Sequence, residues 1–282
     1  MRFFSLICCL LCVVAVKAVD SDKPLRPVMA AYTLEVGGAH LSDTYLTPLK
    51  YKGQGYALGY ERMQAMKFSP ESWVMRLTGR LGLNRALNPA RNAAMWDLDL
   101  GLSWGMMRRW RTAAVPGLQF YGGGSTMVDI GALYLGRNGN NPVSAKASWT
   151  IGVTGAAVYN FKISCLPICL RYQPTLPVTG VFFSPDYGEL YYEIYLGNHS
   201  GLVHGAWWGN YFRLNNLLTA DLRFGATNLR IGYSGDILST KVNNIVTRRI
   251  THAVTIGVSG EWLSVNRSGK ISSKAKIISA LY

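Results

Sequence analysis

The ten residues Met95-Trp96-Asp97-Leu98-Asp99-Leu100-Gly101-Leu102-Ser103-Trp104 constrain this chain more than any other stretch. Trp96, Leu98, Leu100, Leu102 and Trp104 take one set of alternate positions, and Asp97, Asp99, Gly101 and Ser103 take the other. Strict alternation is the signature of a strand with one apolar face. At about 3.3 Å per residue the two tryptophans stand roughly 26 Å apart along the strand. A strand tilted by about 40° then sets them at the two edges of an apolar band about 25 Å tall. The expected fold is all-β, a transmembrane antiparallel β-barrel of the bacterial outer-membrane type with apolar residues outside and carboxylates inside.

The N-terminus agrees with export. Met1-Arg2-Phe3-Phe4 opens an apolar run through Val16, and Val16-Lys17-Ala18 closes it, which predicts a signal peptide over residues 1–18 with cleavage after Ala18. The run is shorter than the ~20 residues of a membrane-spanning helix. Cys8, Cys9 and Cys12 lack the small preceding residue of a lipoprotein signal. No later segment is apolar enough to span as a helix, so a membrane-spanning mature chain has to be a closed barrel. Residues 19–29 read as a periplasmic lead-in and residues 30–282 as one barrel domain.

The formal charge is +14, and losing Arg2 and Lys17 with the signal leaves 14 − 2 = +12. Such an excess favours anionic neighbours, of which lipid A phosphates and acidic phospholipids are the natural ones in an outer membrane. The basic residues are scattered and form no nucleic-acid module, so no nucleic-acid partner is expected. No cofactor or metal motif is present.

Further strands are expected along the chain. Tyr32, Leu34 and Val36 alternate with Thr33 and Glu35, and Tyr56, Leu58 and Tyr60 alternate with Ala57, Gly59 and Glu61. Trp73, Met75, Leu77, Leu81 and Leu83 oppose Arg76, Thr78, Arg80 and Gly82. Consecutive strands usually pair, which predicts that Arg76 and Arg80 face Asp97 and Asp99 across the lumen. Gly122-Gly123-Gly124 lacks the lysine and helix of a phosphate cradle and reads as close strand packing or a bulge. Trp149, Ile151 and Val153 mark a sixth strand. Pro174, Pro177 and Pro185 blur the pattern, an apolar face resumes at Leu190, Tyr192, Ile194 and Leu196, and residues 199–216 fit no element.

Past that gap, Leu218, Ala220, Leu222 and Phe224 oppose Asp221 and Arg223, and Leu229, Ile231 and Tyr233 oppose Asn228 and Arg230. A hairpin over Gly225 to Thr227 sets Phe224 opposite Leu229 and therefore Arg223 opposite Arg230, both inward. Like charges facing each other destabilise a strand pair, so Asp221, another lumen carboxylate or a bound anion has to compensate. The expected lumen charge network is Arg76, Arg80, Asp97, Asp99, Asp221, Arg223 and Arg230. Val254, Ile256, Val258 and Trp262 mark another strand. An even strand number of about twelve fits these segments.

Two cysteines remain in the mature chain. Residues four apart in a straight strand are ~13 Å apart, beyond disulfide reach. A turn at Pro167 would close the gap between Cys165 and Cys169, so a bridge and two free thiols are both compatible with the sequence.

The chain ends Ala280-Leu281-Tyr282. A last strand closing on an aromatic residue resembles the insertion signal read by the barrel assembly machinery. Asn215-Asn216-Leu217-Leu218-Thr219-Ala220-Asp221-Leu222-Arg223-Phe224-Gly225 resembles a Bacteroidetes outer-membrane barrel family catalogued as domain of unknown function 3316. So do Phe182-Phe183-Ser184-Pro185-Asp186-Tyr187-Gly188, Gly197-Asn198-His199-Ser200-Gly201-Leu202-Val203-His204, Val242-Asn243-Asn244-Ile245 and Gly260-Glu261-Trp262-Leu263. The resemblance spans nearly all of the mature chain and implies location and fold, with no activity attached.

A more local similarity is to outer-membrane phospholipase A, whose Asn-His-x-Ser-Asn-Gly motif sits in a twelve-stranded barrel. Asn198-His199-Ser200-Gly201 lacks its spacer, so His199 and Ser200 would point to opposite faces of a regular strand unless a bulge or turn rejoined them. Were they rejoined, His199 would be the base, Ser200 the nucleophile and Asn198 the group orienting the imidazole, with His204 in reserve.

The leading expectation is thus an outer-membrane barrel with an envelope structural, lipid-interacting or narrow-pore role. It would contact outer-membrane lipids and lipopolysaccharide in a Gram-negative bacterium. The alternatives are an acyl hydrolase resembling phospholipase A or a lipid A deacylase, and a soluble secreted β-sandwich or lipocalin-like binder, since a sandwich also alternates around its core.

Overall fold

A computed structural model of the protein describes residues 24–225, 227–263 and 276–282. The expected signal peptide lies outside the described residues. Eleven strands follow in chain order: β1 Val28–Asp43, β2 Thr47–Ala65, β3 Trp73–Leu87, β4 Ala94–Arg111, β5 Leu118–Leu135, β6 Val143–Ile163, β7 Leu166–Phe183, β8 Val203–Ala206, β9 Tyr211–Phe224, β10 Thr227–Val242 and β11 Ile245–Trp262. A single helical turn, α1, spans Tyr191–Tyr195 between β7 and β8.

Ten of these strands form a closed antiparallel barrel. Each hairpin pairs with the next, β1 pairs with β11 from Val28↔Trp262 to Asp43↔Thr247, and β7 joins β6 to β9. Closure leaves no unpaired edge. The short β8 runs in line with β9. It pairs with β7 at Gly180–Phe183, while β9 pairs with β7 at Ile168–Thr175. Between them Trp207–Asn210 makes a four-residue excursion closed by the bond from the Tyr211 N–H to the Trp207 carbonyl (2.8 Å). The Trp208 indole N–H donates to the Pro177 carbonyl (2.7 Å), and Pro177 pairs with Gly152 of β6 on one side while its other side lies in the gap between the β9 and β8 pairings.

The strand count is therefore ten, not about twelve, for two reasons. Leu190 to Leu196 is not a strand: the Glu193 carboxylate accepts the Leu190 N–H (3.0 Å) and α1 follows. The C-terminal stretch is not a strand either. Described again from Lys276, it lies inside the barrel, with Ala280 and Leu281 fully buried, and the last wall strand ends at Trp262. Tyr282 consequently ends a lumen segment rather than a strand.

The wall follows the alternation. Leu98, Leu100 and Leu102 are exposed on the outside while Asp97 and Asp99 are buried inside. Tyr32, Leu34 and Val36, Leu58, Ile151 and Val153, and Val254, Ile256 and Val258 continue the outer band around the barrel. An apolar exterior around a polar interior is the reverse of a soluble sandwich or lipocalin-like binder and is the arrangement of a membrane-spanning barrel.

Local chemistry sets the turns. Asn243 and Asn244 both take positive φ (49° and 58°), which a two-residue hairpin turn requires and asparagine tolerates. In the glycine run, a Cβ on Gly123 would stand 2.0 Å from the Met106 carbonyl of β4, so close strand approach accounts for it.

The lumen as candidate functional site

Inward residues of the ten strands meet in layers. At the end where β1 begins and β11 finishes, Met29, Ala31, Met63, Val74, Met107 and Val158 form an apolar layer against Ala280 and Leu281. The C-terminal segment is held there by its carbonyls. Arg109 donates to Ser279 (2.7 Å), Tyr121 to Ala280 (2.9 Å) and Asn160 to Leu281 (2.8 Å). The Ser279 hydroxyl bonds to the Glu261 carboxylate, and Leu25 and Ile277 form a bridge, with the Leu25 N–H on the Lys276 carbonyl (2.8 Å).

At the opposite end Leu41, Tyr51, Met95, Leu133 and Ile245 form a second apolar layer, capped by Tyr45, Leu46 and Ala93 from the connecting loops. Tyr191 of α1 packs edge-on against Tyr45 (5.9 Å between ring centres) and accepts the Ala145 N–H (2.6 Å). The Tyr45 hydroxyl donates to the Glu189 carbonyl (2.7 Å). Burial raises the pKa of both phenols, so they stay neutral in this lid.

Between the apolar layers lie two clusters of ion pairs, one around Glu61 and one around Asp99 and Asp236. Glu61 of β2 accepts from Arg76 (2.7 Å), Arg171 (2.6 Å) and Arg230 (2.7 Å), which arrive from β3, β7 and β10. Arg230 also forks onto Asp221 (2.6 and 2.7 Å). Nearer the lid, Arg80 bridges Glu35 (3.0 Å) and Asp99 (2.9 Å). Arg249 reaches Asp99 (3.2 Å), Asp236 (3.3 Å) and Asp97 (3.6 Å), and Arg213 joins Asp236 (2.9 Å) to Asp129 (2.6 Å). Seven carboxylates thus meet six guanidinium groups, so the interior is close to neutral and the chain's basic surplus lies elsewhere. A cavity of about 130 Å³ remains among these groups, lined in part by Glu35, Glu61, Arg80 and Arg213.

Of the seven residues expected in the lumen, Arg76, Arg80, Asp97, Asp99, Asp221 and Arg230 take part in ion pairs and Arg223 does not. Arg80 does meet Asp99. Arg76 instead lies opposite Gly105 and turns to Glu61, while Asp97 lies opposite Asn84 and takes its amide N–H (2.8 Å). The Arg223–Arg230 juxtaposition does not occur. The β9–β10 turn is tighter than Gly225 to Thr227, so Phe224 pairs with Thr227, Arg223 with Asn228 and Arg230 with Asp221. Arg223 stands apart from the ion pairs, its guanidinium 4.0 Å from the centre of the Tyr282 ring. Glu35, Glu61, Asp129, Arg171, Arg213, Asp236 and Arg249 complete the network. The inward phase of Glu35 and Glu61 is legible in the alternation; Arg171 and Arg213 lie where prolines and the β8–β9 excursion hide it.

Cys165 and Cys169 are both free. The turn is at Ser164-Cys165 and not at Pro167, so Cys165 is exposed in it while Cys169 points from β7 into the buried lumen. Asn198, His199 and Ser200 are all exposed in the loop between α1 and β8. Asn198 donates to Glu189 (2.8 Å), and no hydrogen bond joins His199 to Ser200. His204 bonds through Nε2 to the Ser184 carbonyl (3.0 Å) rather than to a hydroxyl. The loop thus holds no assembled nucleophile and base. Among the described residues no group of three His, Cys, Asp or Glu side chains is placed to hold a metal ion.

A ten-stranded closed wall, an apolar outside and a lumen filled by ion pairs and a chain segment define a plugged outer-membrane-type β-barrel. Within that class, the chain belongs to the family described as "Protein of unknown function (DUF3316)", which it matches over residues 3–268. No curated protein matches it significantly. Among solved structures it is similar to the translocator domain of autotransporter NalP from Neisseria meningitidis, at 14% identity over 86% of this chain and 90% of that one, with a TM-score of 0.38. The transport unit of the autotransporter AIDA-I from Escherichia coli aligns at 9% identity over 93% and 97%, TM-score 0.35. The COG4313 outer membrane channel from Pseudomonas putida F1 aligns at 9% over 88% and 100%, TM-score 0.34. At these scores the fold assignment rests on the strand pairings themselves.

Proposed function

We propose that this protein is a sealed barrel of the Gram-negative outer membrane, exported by a cleaved signal peptide, which acts through its lipid-facing wall and its outward loops rather than through its lumen. The observation that carries this reading is Glu61 joined to Arg76, Arg171 and Arg230 from three other strands, an ion-pair node across the interior. Apolar layers stand on both sides of it. Outer-membrane barrels have short periplasmic turns and longer external loops. The longest described connection, residues 184–202 with α1, lies at the end opposite Val28 and Trp262, which supports an orientation with that loop outside the cell and the Val28 and Trp262 end on the periplasmic side.

The test is labelling of Ser200→Cys in a Cys165→Ser background with a membrane-impermeant maleimide. Intact cells should label about as fully as lysed ones, with the protein recovered in the outer-membrane fraction. Labelling only after lysis, or recovery of folded protein without detergent, would overturn the reading.

A further inference from the structure

The wall's charges are sorted by face. The nine strand carboxylates, Glu35, Asp43, Glu61, Asp97, Asp99, Asp129, Asp221, Asp236 and Glu261, all occupy inward positions. With the interior nearly neutral, outward cations stand without outward strand carboxylates beside them. Four of them stand exposed on one half of the loop-side rim, Lys241 of β10, Arg248 of β11, Lys52 of β2 and Arg85 of β3, with the His40 imidazole of β1 exposed among them.

The strand registers make these five residues a row. His40 lies opposite Lys52, Arg248 opposite Ser42 and so diagonal to His40, Leu87 opposite Lys52 so that Arg85 is diagonal to it, and Lys241 opposite Val246 beside Arg248. Direct neighbours of this kind have Cβ atoms about 5 Å apart and diagonal ones about 7–8 Å. The row's height is fixed by Arg85, which pairs with Trp96 and holds its guanidinium 5.6 Å from that ring's centre. Trp96 is the upper edge of the apolar band, so the cations stand where acyl chains end and headgroups begin. Two strand spacings across the sheet and two residues along it separate Arg248 from Lys52, about 12 Å in all. That is the scale of a disaccharide with a phosphate at each end.

We infer that the row Lys241, Arg248, His40, Lys52 and Arg85 is a binding surface for the phosphorylated glycolipid headgroup of the outer leaflet, lipid A, with the acyl chains lying on the outer faces of β11, β1 and β2 below it. The inference rests on the orientation proposed above. Charge complementarity carries it: a cationic row at headgroup height, above a face of Tyr32, Leu34, Val36, Leu58 and Ile256 fit for acyl chains.

The experiment titrates refolded full-length protein in micelles with bis-phosphorylated lipid A, the same lipid dephosphorylated, and phosphatidylglycerol, reading bound lipid by native mass spectrometry. Wild type should bind the bis-phosphorylated lipid at least about tenfold more tightly than either other lipid. Lys52→Ser/Arg85→Ser/Arg248→Ser should lose at least about tenfold, since each basic side chain at an anionic surface contributes measurably. Arg62→Ser/Arg108→Ser, outward cations near the opposite rim, should not change it. All three proteins should keep the compact heat-modifiable gel form, since none of these side chains belongs to the lumen network. Equal binding of the dephosphorylated lipid, equal binding of phosphatidylglycerol, or an unchanged triple variant would each overturn the inference. Those outcomes leave the sealed-barrel reading standing, whereas labelling of the 184–202 loop only after lysis removes both.

Discussion

Glu61→Gln is expected to destabilise the folded barrel by about 3–5 kcal/mol, the cost of removing one partner from a buried ion pair. Gln keeps the shape and removes the charge that three guanidinium groups share. Arg230 keeps Asp221, but Arg171 retains only Thr219 (3.4 Å) and the Met63 sulfur (3.1 Å), and Arg76 retains no carboxylate. Two guanidinium groups are then left buried and uncompensated. The measurement is the urea midpoint of the refolded barrel, with the temperature at which the compact gel form is lost. Adding Arg171→Met removes one stranded charge and should recover part of the loss, because residues of one network are not additive. A midpoint for Glu61→Gln within about 0.5 kcal/mol of wild type would show that the network does not hold the wall together.

Ending the chain at Leu263 should cost at least about 3 kcal/mol although it leaves all eleven described strands in place. Leu281 and Ala280 leave a buried apolar layer, and emptying a buried leucine site alone costs about 2–5 kcal/mol. Arg109 and Asn160 also lose carbonyl acceptors, at about 1–3 kcal/mol for each donor left unsatisfied, whereas the Tyr121 hydroxyl keeps Gln119 (2.8 Å). Water entering the opened end would offset part of that. Leu281→Ala, which keeps the backbone acceptors, isolates the packing contribution. A truncated protein as stable as the full chain would show the C-terminal segment to be a passenger. The shortened protein should still not conduct, because the Glu61 and Asp236 ion-pair layers lie beyond the segment.

Much of this was readable from the sequence, because a barrel strand carries its own phase. Leu98 and Asp97 declare which face is which without reference to any other strand, and the same holds for Tyr60 and Glu61. Partner choice is not local. Arg76 turns to Glu61 rather than to Asp97 because the β3–β4 register sets it opposite Gly105, and a register depends on turn length. Gly225 illustrates the sensitivity: a slightly tighter turn exchanged an Arg223–Arg230 clash for an Arg230–Asp221 pair. Arg171 meets Glu61 across 110 positions of sequence only once the barrel has closed.

The two false strands had different causes. In Leu190 to Leu196 the alternate apolar residues Tyr192 and Leu196 are exposed and only Tyr191 packs on the lid, so the spacing there reported no covered face. In the C-terminal stretch Ala280 and Leu281 are buried, but in the lumen rather than in the wall. Adjacency in sequence leaves His199 and Ser200 exposed and unjoined in a loop. The rim row of cations was hidden among a scattered basic surplus and became visible only when the registers aligned Arg248, His40, Lys52 and Arg85.

The most direct test of the sealed lumen is the conductance of the refolded full-length protein in a planar lipid bilayer. With insertion confirmed by the compact gel form recovered from the same proteoliposomes, the current should stay at that of the bare bilayer at either polarity. Steady ohmic steps from the full-length protein, altered in size by Arg213→Ala, would mean that ions pass through the network and that the barrel is a pore.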